Sequence, residues 1–440
     1  MNLGVPRRPE RTASLPLLGG LLRSLVAGGC LTIIDSAGRR SVFGDARVGP
    51  SVTVRLHEAS LPARIALSPS RAFGEAYMDG TLTIEAGDVR QLLALVTGNF
   101  TAFEQRPLHG VGSWLSRRLR TFLRSNGPLR SRRNVAHHYD LSGTLYDLFL
   151  DADQQYSCAY FVDEAATLEQ AQAAKKRHIA AKLLLAPGQR VLDIGCGWGG
   201  LAIELARDYG VDVTGITLSD KQLQSARRRA ERAGLGDRVR FELMDYRSIE
   251  GCFDRIVSVG MFEHVGARNY GAFFSKVRDS LAPDGIALLS AIGRMAPPTV
   301  PDPWISKYIF PGGYIPSLSE TLAAIEPSHL WVTDIEILRV HYAETLKRWF
   351  DRFERHRAEA AALYDERFCR MWEFYLAACE MLFRNGPLMV FHMQLARRRD
   401  AVPLTRDYIS VFDRRPESAF RFGPKAEETA KRKHCGKVEA

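Results

Sequence analysis

The sequence predicts an α/β protein: a doubly wound parallel sheet preceded by a small N-terminal α+β domain. Three observations predict it. Between Leu168 and Ile292, strand-length apolar runs alternate with helix-length amphipathic ones, a pattern that buries a parallel sheet between two helical layers. The run from Arg190 to Gly200 carries a strand through Gly195, Gly197 and Gly199 into a helix, the turn with which open α/β sheets bring backbone close to a ligand. Finally, 440 residues with 46% hydrophobic and 25% charged side chains form a globular chain too long for one ordinary core.

Taken in order, residues 1–28 are rich in Arg, Gly and Pro and read as a flexible lead-in. Residues 29–110 read as a small α+β scaffold or lipid-binding domain, with β-rich runs at Leu31 to Ile34, Val52 to Leu56, Arg64 to Leu67 and Thr81 to Ile84, then a helical Val89 to Val96. Residues 111–133 place Val111, Trp114, Leu115, Leu119, Phe122 and Leu123 at helical spacing. Around them stand Arg117, Arg118, Arg120, Arg124, Arg130, Arg132 and Arg133, with no acidic residue. Such a basic amphipathic connector can lie in a membrane interface with its arginines on lipid phosphates; an interdomain helix with a solvated face is the other reading.

Residues 134–425 read as one catalytic domain. Its expected order is helix Leu168 to Leu185, strand Gln189 to Ile194, helix Gly200 to Tyr209, strand Asp212 to Thr217, helix Asp220 to Ala233 and strand Arg238 to Met244. Strand Arg255 to Val259, helix Tyr270 to Leu281 and strand Gly285 to Ile292 follow. Residues 297–330 interrupt the pattern with a loop-like Pro-, Gly- and aromatic-rich insertion. A strand and long helices return from Trp331 to Arg384, and residues 426–440 form a polar, charged tail.

Sixty Lys and Arg against fifty Asp and Glu give a formal charge of +10, which invites anionic partners without choosing among them. No base-flipping or strand-binding signature accompanies the charge, so nucleic acid is disfavoured. Arg23 interrupts the longest early apolar run, Leu15 to Val26, short of the roughly 18 residues that a bilayer span needs. The cysteines, Cys30, Cys158, Cys196, Cys252, Cys369, Cys379 and Cys435, form an odd set without a C-x-x-C pair. That argues against a disulfide framework or a metal site and fits a reducing, cytoplasmic setting.

The glycine run is the strongest signal. No Lys-Ser/Thr pair follows it, which argues against a P-loop. A dinucleotide site would want an acidic residue at the end of the next strand, where this chain has Thr217 and, further on, Gln222. The segment Asp193 to Gly200 resembles the first motif of S-adenosylmethionine (SAM) dependent methyltransferases. Its surroundings resemble the cyclopropane fatty acid synthase and mycolic acid cyclopropane synthase family. The matching pieces are His138 to Asp140, Gln155 to Tyr160, Ile216 to Ser219 with Gln222, Asp254 to Gly266, and Asp302 to Gly312. Residues 1–110 match more loosely, mainly through Phe73 to Gly80.

The resemblance implies a class I SAM-methyltransferase, Rossmann-like fold. Position by position, it implies that Tyr139 and the loop of Gly195, Gly197 and Gly199 after Asp193 hold the methionine end of SAM. Thr217 and Gln222 would lie near ribose and adenine, Asp245 and Tyr246 against the adenine edge, and Val259 beneath the sulfonium. The implied substrate is the double bond of an unsaturated acyl chain in a membrane phospholipid, and the implied place of work is the cytoplasmic, anionic membrane surface.

An alkene is a poor nucleophile, so this chemistry needs alignment in a dry pocket and stabilisation of a developing carbocation. The resemblance implies a bound bicarbonate as base, gripped by groups at Cys158, Glu263, Ile292 and Tyr342. Where the family pattern reads His-Thr-Ile-Gly, this chain reads Ser290-Ala-Ile-Gly293, and serine cannot change charge near neutral pH as histidine can. A methyl- or methylene-branched product therefore stays open beside cyclopropane. His264 reads as a structural neighbour of Glu263. Cys379 reads as core packing, although the resemblance places it where an active-site thiol was once assigned; SAM is itself the electrophile, so no enzyme nucleophile is needed. A small-amine N-methyltransferase and a lipid-binding protein with a vestigial SAM fold are the other readings, and the sequence leaves monomer or homodimer open.

Overall fold

A computed structural model describes residues 15–26, 28–98 and 143–414. The basic connector, Tyr139 with its His138 to Asp140 motif, and the tail lie outside the described residues. The chain divides into two compact units. One gathers residues up to 116 with 302–309 and 346–387, and the other holds 117–301, 310–345 and 388–440.

The first unit contains a four-stranded sheet of β1 (Cys30–Ile34), β2 (Arg40–Gly44), β3 (Ser51–Leu56) and β4 (Leu82–Ala86), in the order β2-β1-β3-β4. Strands β1 and β3 run parallel and the other pairs antiparallel. Two expectations are corrected here. Residues 64–67 are not a strand but the end of helix Leu61–Leu67, because Pro62 presets its first turn and Leu61 and Ile65, one turn apart, both reach the core. Residues 16–25 of the expected lead-in form helix Pro16–Leu25, whose Leu18 and Leu22 join Phe43 and Val54 in the core.

The aromatic-rich later segments complete this unit. Helix Glu366–Asn385 holds Glu380, 0% exposed, between both arms of the Arg90 guanidinium at 2.8 Å each. Tyr77 donates its hydroxyl to Glu373 at 2.9 Å. The stretch read as a loop-like insertion contains helices Pro303–Tyr308, which belongs to this unit, and Leu318–Ile325, which belongs to the second. Asp302 caps the first by accepting the Trp304 and Ile305 N–H groups, and Ser317 with Glu320 closes a capping box on the second. Trp304 is buried edge-on against Phe374, its indole N–H directed at Met78 Sδ; a Cβ at Gly74 would stand 2.5 Å from that nitrogen.

The second unit is built on a seven-stranded sheet: β5 (Arg190–Ile194), β6 (Asp212–Thr217), β7 (Val239–Leu243), β8 (Phe253–Val259), β9 (Leu281–Arg294), β10 (Trp331–Ile337) and β11 (Leu388–Ala396). Their order is β10-β11-β9-β8-β5-β6-β7. The sheet is not wholly parallel, because β11 pairs antiparallel with both β9 and β10. Its nine residues follow a long helix and are buried on both faces, the polar His392 and Gln394 included, so no alternation marks it.

Side chains alternate across β5. Val191 joins a cluster under helices Leu168–Leu183, Gly200–Tyr209 and Asp220–Arg232, whereas Leu192 and Ile194 join the opposite one under helix Tyr270–Ser280. Chain order reverses between β5, which leads to β6, and β8, which leads to β9. In such sheets, ligands bind beyond the carboxyl ends of the strands at that reversal.

Candidate active site

The carboxyl ends of β5, β6 and β8 open on a cavity with about 1170 Å³ of empty space including its mouth, a size that accommodates a nucleoside with a side chain. Its floor is the glycine loop. Gly195, Gly197 and Gly199 have φ of +85°, +54° and +82°, a region that side-chain-bearing residues avoid. A Cβ at Gly195 would meet Met261 Cβ at 2.8 Å, and one at Gly199 would meet Phe241 at 2.7 Å, whereas at Gly197 nothing stands within 4 Å. The loop therefore packs tightly behind and lies open in front. Its Gly195 and Cys196 N–H groups are tied to Ile216 O at 2.9 and 3.0 Å.

Around the floor stand side chains with uncommitted polar atoms. Asp193, 2% exposed, keeps Oδ2 without a hydrogen-bond partner among the described residues, and burial pushes its carboxyl up to about 7. Thr217 donates its hydroxyl to Gln222 Oε1 at 2.9 Å, and both line the cavity at the end of β6. Asp245 caps a short 3-10 turn and pairs through both oxygens with Arg247 at 2.8 and 3.0 Å. Tyr246 stacks edge-on against Phe273, and its buried hydroxyl finds no partner among the described residues. Val259 and Gly260 form the cavity wall at the end of β8.

The expected catalytic residues fall into separate groups. Glu263 lies on the 3-10 turn Phe262–His264, 7% exposed. Its Oε1 accepts the Ile292 N–H of β9 at 2.5 Å, Oε2 has no partner among the described residues, and burial raises it to about 7. Ser290 lies two residues earlier on β9, paired with Val259 on one side and His392 on the other. Cys158 sits in a buried segment bound to the first turn of helix His341–Arg355, where Ala159 N donates to Thr345 Oγ1 at 3.0 Å and Phe161 N to His341 Nδ1 at 3.0 Å. Tyr342, 7% exposed, is on that turn. Burial raises the Cys158 thiol far above its ordinary range, which keeps it protonated. Cys379 belongs to the other unit, on helix Glu366–Asn385, its thiol pushed up to about 12 by burial. Neither thiol is a thiolate nucleophile.

Sequence reasoning gave Lys175 no role although it lines the cavity, and it left Gln155 and Trp198 as unassigned members of their motifs and His264 as a structural neighbour of Glu263; all four line the cavity. Burial drives His264 down to about 4, so it is a neutral imidazole. Lys175 comes from helix Leu168–Leu183, whose Lys175, Lys176, His178 and Lys182 are all buried. Their charge suggests a solvated helix, and only tertiary partners such as Glu204 and Glu336 reverse that impression.

Residues 128–393 match the family described as "Mycolic acid cyclopropane synthetase", and residues 32–106 match a domain of unknown function. The chain belongs to the mycolic acid cyclopropane synthetase family. It is 39% identical over 352 residues to the cyclopropane-fatty-acyl-phospholipid synthase of Escherichia coli, covering 78% of this chain and 87% of that protein. It is 38% identical over 411 residues to the tuberculostearic acid methyltransferase of Mycobacterium tuberculosis, covering 89% and 94%. The family's mycolic acid cyclopropane synthase CmaA1, crystallised with S-adenosylhomocysteine (SAH) and CTAB, superposes with TM-score 0.57 at 35% identity, covering 60% of this chain and 97% of that one.

As a member of this family the chain is a SAM-dependent methyltransferase. The cavity fits that cofactor on its own terms. It joins a glycine floor that admits backbone contact, hydroxyl and amide groups in place of an acidic ribose ligand, and a buried carboxylate oxygen with nothing to bind.

Proposed function

We propose that this protein adds the one-carbon unit of SAM across the double bond of an unsaturated acyl chain in a membrane phospholipid, giving a cyclopropane. The single observation that carries the reading is the Glu263 carboxylate, buried beside the cofactor cavity with one oxygen fixed by the Ile292 N–H and the other uncommitted, together with the match to enzymes named for that reaction.

Asp193, the glycine loop, Thr217 and Gln222 would hold SAM, with Tyr246 and Val259 along its nucleoside and sulfonium. When bound, SAM supplies an electrophilic methyl group. Methylation of one alkene carbon leaves its neighbour cationic, and a proton must then leave the new methyl so that its C–H electron pair closes the ring. The burial that raises Glu263 also strengthens its field on a nearby cation once ionised. The neutral imidazole of His264 adds no competing positive charge. A bicarbonate base would be held by Glu263, Cys158, Ile292 and Tyr342, of which Glu263 Oε2 is uncommitted among the described residues whereas the Cys158 thiol already donates to Ala159 O at 3.3 Å. The Ile292 N–H is already engaged by Glu263.

Among the described residues no helix is long and apolar enough to cross a membrane. Access to a bilayer substrate is assigned to the basic segment 111–133, whose arginines would dock on anionic lipid of the cytoplasmic leaflet.

Ser290 and the relative named as a tuberculostearic acid methyltransferase favour one second reading, a methyl- or methylene-branched product. Incubation with SAM and vesicles of mono-unsaturated phosphatidylglycerol, followed by mass spectrometry of the fatty acids, should show a gain of one CH₂ that resists catalytic hydrogenation. A gain that takes up hydrogen marks the branched alkene instead, and no gain on any unsaturated chain overturns the proposal.

A further inference from the structure

Helix Leu168–Leu183 delivers a buried lysine to the cofactor cavity. Lys175 is 1% exposed and lines the cavity. Its Nζ donates to Gln155 Oε1 at 2.5 Å and to Ser157 Oγ at 2.9 Å. Both acceptors are neutral, and an ammonium has a third N–H to place. Lys176, the next residue, pairs with Asp153 at 2.8 Å and with Glu204, whereas Lys175 bonds no carboxylate directly among the described residues and feels Asp151 and Asp153 only through their fields. A buried cation without an ion pair is costly, and burial pushes this one down to about 8.

Asp193 is its counterpart, a buried acid on the same cavity with Oδ2 unbonded. After burial, the field of Lys175 is the influence on that carboxyl, drawing its pKa back down. One cavity thus presents a spare buried N–H donor on a cation and a spare buried acceptor on an acid, with no direct bond between them. A neutral or singly charged ligand satisfies one and strands the other. An α-amino-acid group, with ammonium and carboxylate on one carbon, satisfies both at once.

We propose that Lys175 is the carboxylate-binding residue for the amino-acid end of the cofactor, acting with Asp193, which takes the α-ammonium. The inference rests on the SAM reading of the cavity and assigns a role to a residue that no motif marked. It also explains a costly arrangement: the helix carries an unpaired ammonium into the interior because the ligand completes its set of partners. Gln155 and Ser157 hold the ammonium in place, so the segment leading to Cys158 is bound to the same nitrogen as the cofactor's carboxylate.

Calorimetric titration of the full-length protein with two probes tests this. One is SAH; the other is its decarboxylated analogue, which keeps the amine and lacks the carboxylate. The wild type should bind SAH about 10- to 100-fold more tightly than the analogue, the range expected for a hydrogen bond between charged groups. Lys175→Met should reduce SAH affinity by a similar factor, leave the analogue nearly unchanged, and so abolish the discrimination. Asp193→Asn should weaken both probes alike. Equal binding of the two probes by the wild type, a comparison that depends on no variant folding, overturns the inference while leaving the SAM reading intact. So does a Lys175→Met protein that still discriminates. Failure of the wild type to bind SAH at all overturns both.

Discussion

The cofactor cavity is made by two kinds of construction. Its floor, from Asp193 to Gly199, is built from backbone: three glycines at positive φ, N–H groups tied to the next strand, and a helix starting where the loop ends. Its side wall, from Gln155 to Lys175, is built from side chains that meet across 20 residues of sequence around one buried ammonium. The floor's function is written in residue types, because only glycine adopts those angles at that packing. The wall's function depends on what each polar atom lacks once the chain is folded. The same contrast separates Glu263, whose two oxygens have opposite fates, from its neighbour His264, which burial holds neutral.

The largest expected effect bears on the chemistry beside the cavity. Glu263→Gln should lower product formation by about 10²- to 10⁴-fold, the usual range for a positioned acid or base, with SAH affinity preserved. Because burial raises the Glu263 pKa to about 7, the carboxyl is protonated below that value and ionised above it. The wild-type rate should therefore rise as pH increases through about 7, and the Gln variant should lack that limb. A wild-type profile flat from pH 6 to pH 8 would separate Glu263 from the chemistry.

The floor can be broken more selectively. Gly199→Ala adds a left-handed strain of about 1–2 kcal/mol to a clash with Phe241 at 2.7 Å, worth about 1–3 kcal/mol more. Gly197→Ala meets nothing within 4 Å and incurs the strain alone. Thermal melts should rank Gly199→Ala well below Gly197→Ala, and equal melting points would show that the close packing is not what fixes that glycine.

The wall should show the smallest effect, and one of unusual sign. The folded pKa of Lys175 is lowered to about 8, so the fold resists its proton. The resulting loss of stability grows as pH falls from the ordinary lysine value through about 8 and is constant below. Lys175→Met removes it, so the unliganded variant should melt at or slightly above the wild type at pH 7 while losing SAH affinity. A clear drop in melting temperature would make Lys175 a structural residue.

Legibility followed the same division. The alternation from Leu168 to Ile292 and the glycine run gave the order of β5 to β9, because strand and helix periods are local properties. Strand β11 was hidden, since burial on both faces erases its alternation. Residues 64–67 read as a strand because Ile65, Ala66 and Leu67 suit either structure, and Pro62, ahead of them in the helix, decides. Asp193 could be named from its place before the glycines, but the spare valence of its Oδ2 could not. Lys175 stands beside Lys176 as one of two equivalent lysines, and only the fold bonds Lys176 to two carboxylates and Lys175, among the described residues, to neutral oxygens.

The central claim is that a proton leaves the transferred carbon as a ring closes on an acyl chain. SAM bearing a trideuterated methyl group, supplied with unsaturated phospholipid vesicles, tests it most directly. The account predicts a fatty acid that gains the carbon with two of its three deuterons and does not take up hydrogen. Retention of all three deuterons in a methyl-branched chain, or no label in the acyl chains at all, would contradict it.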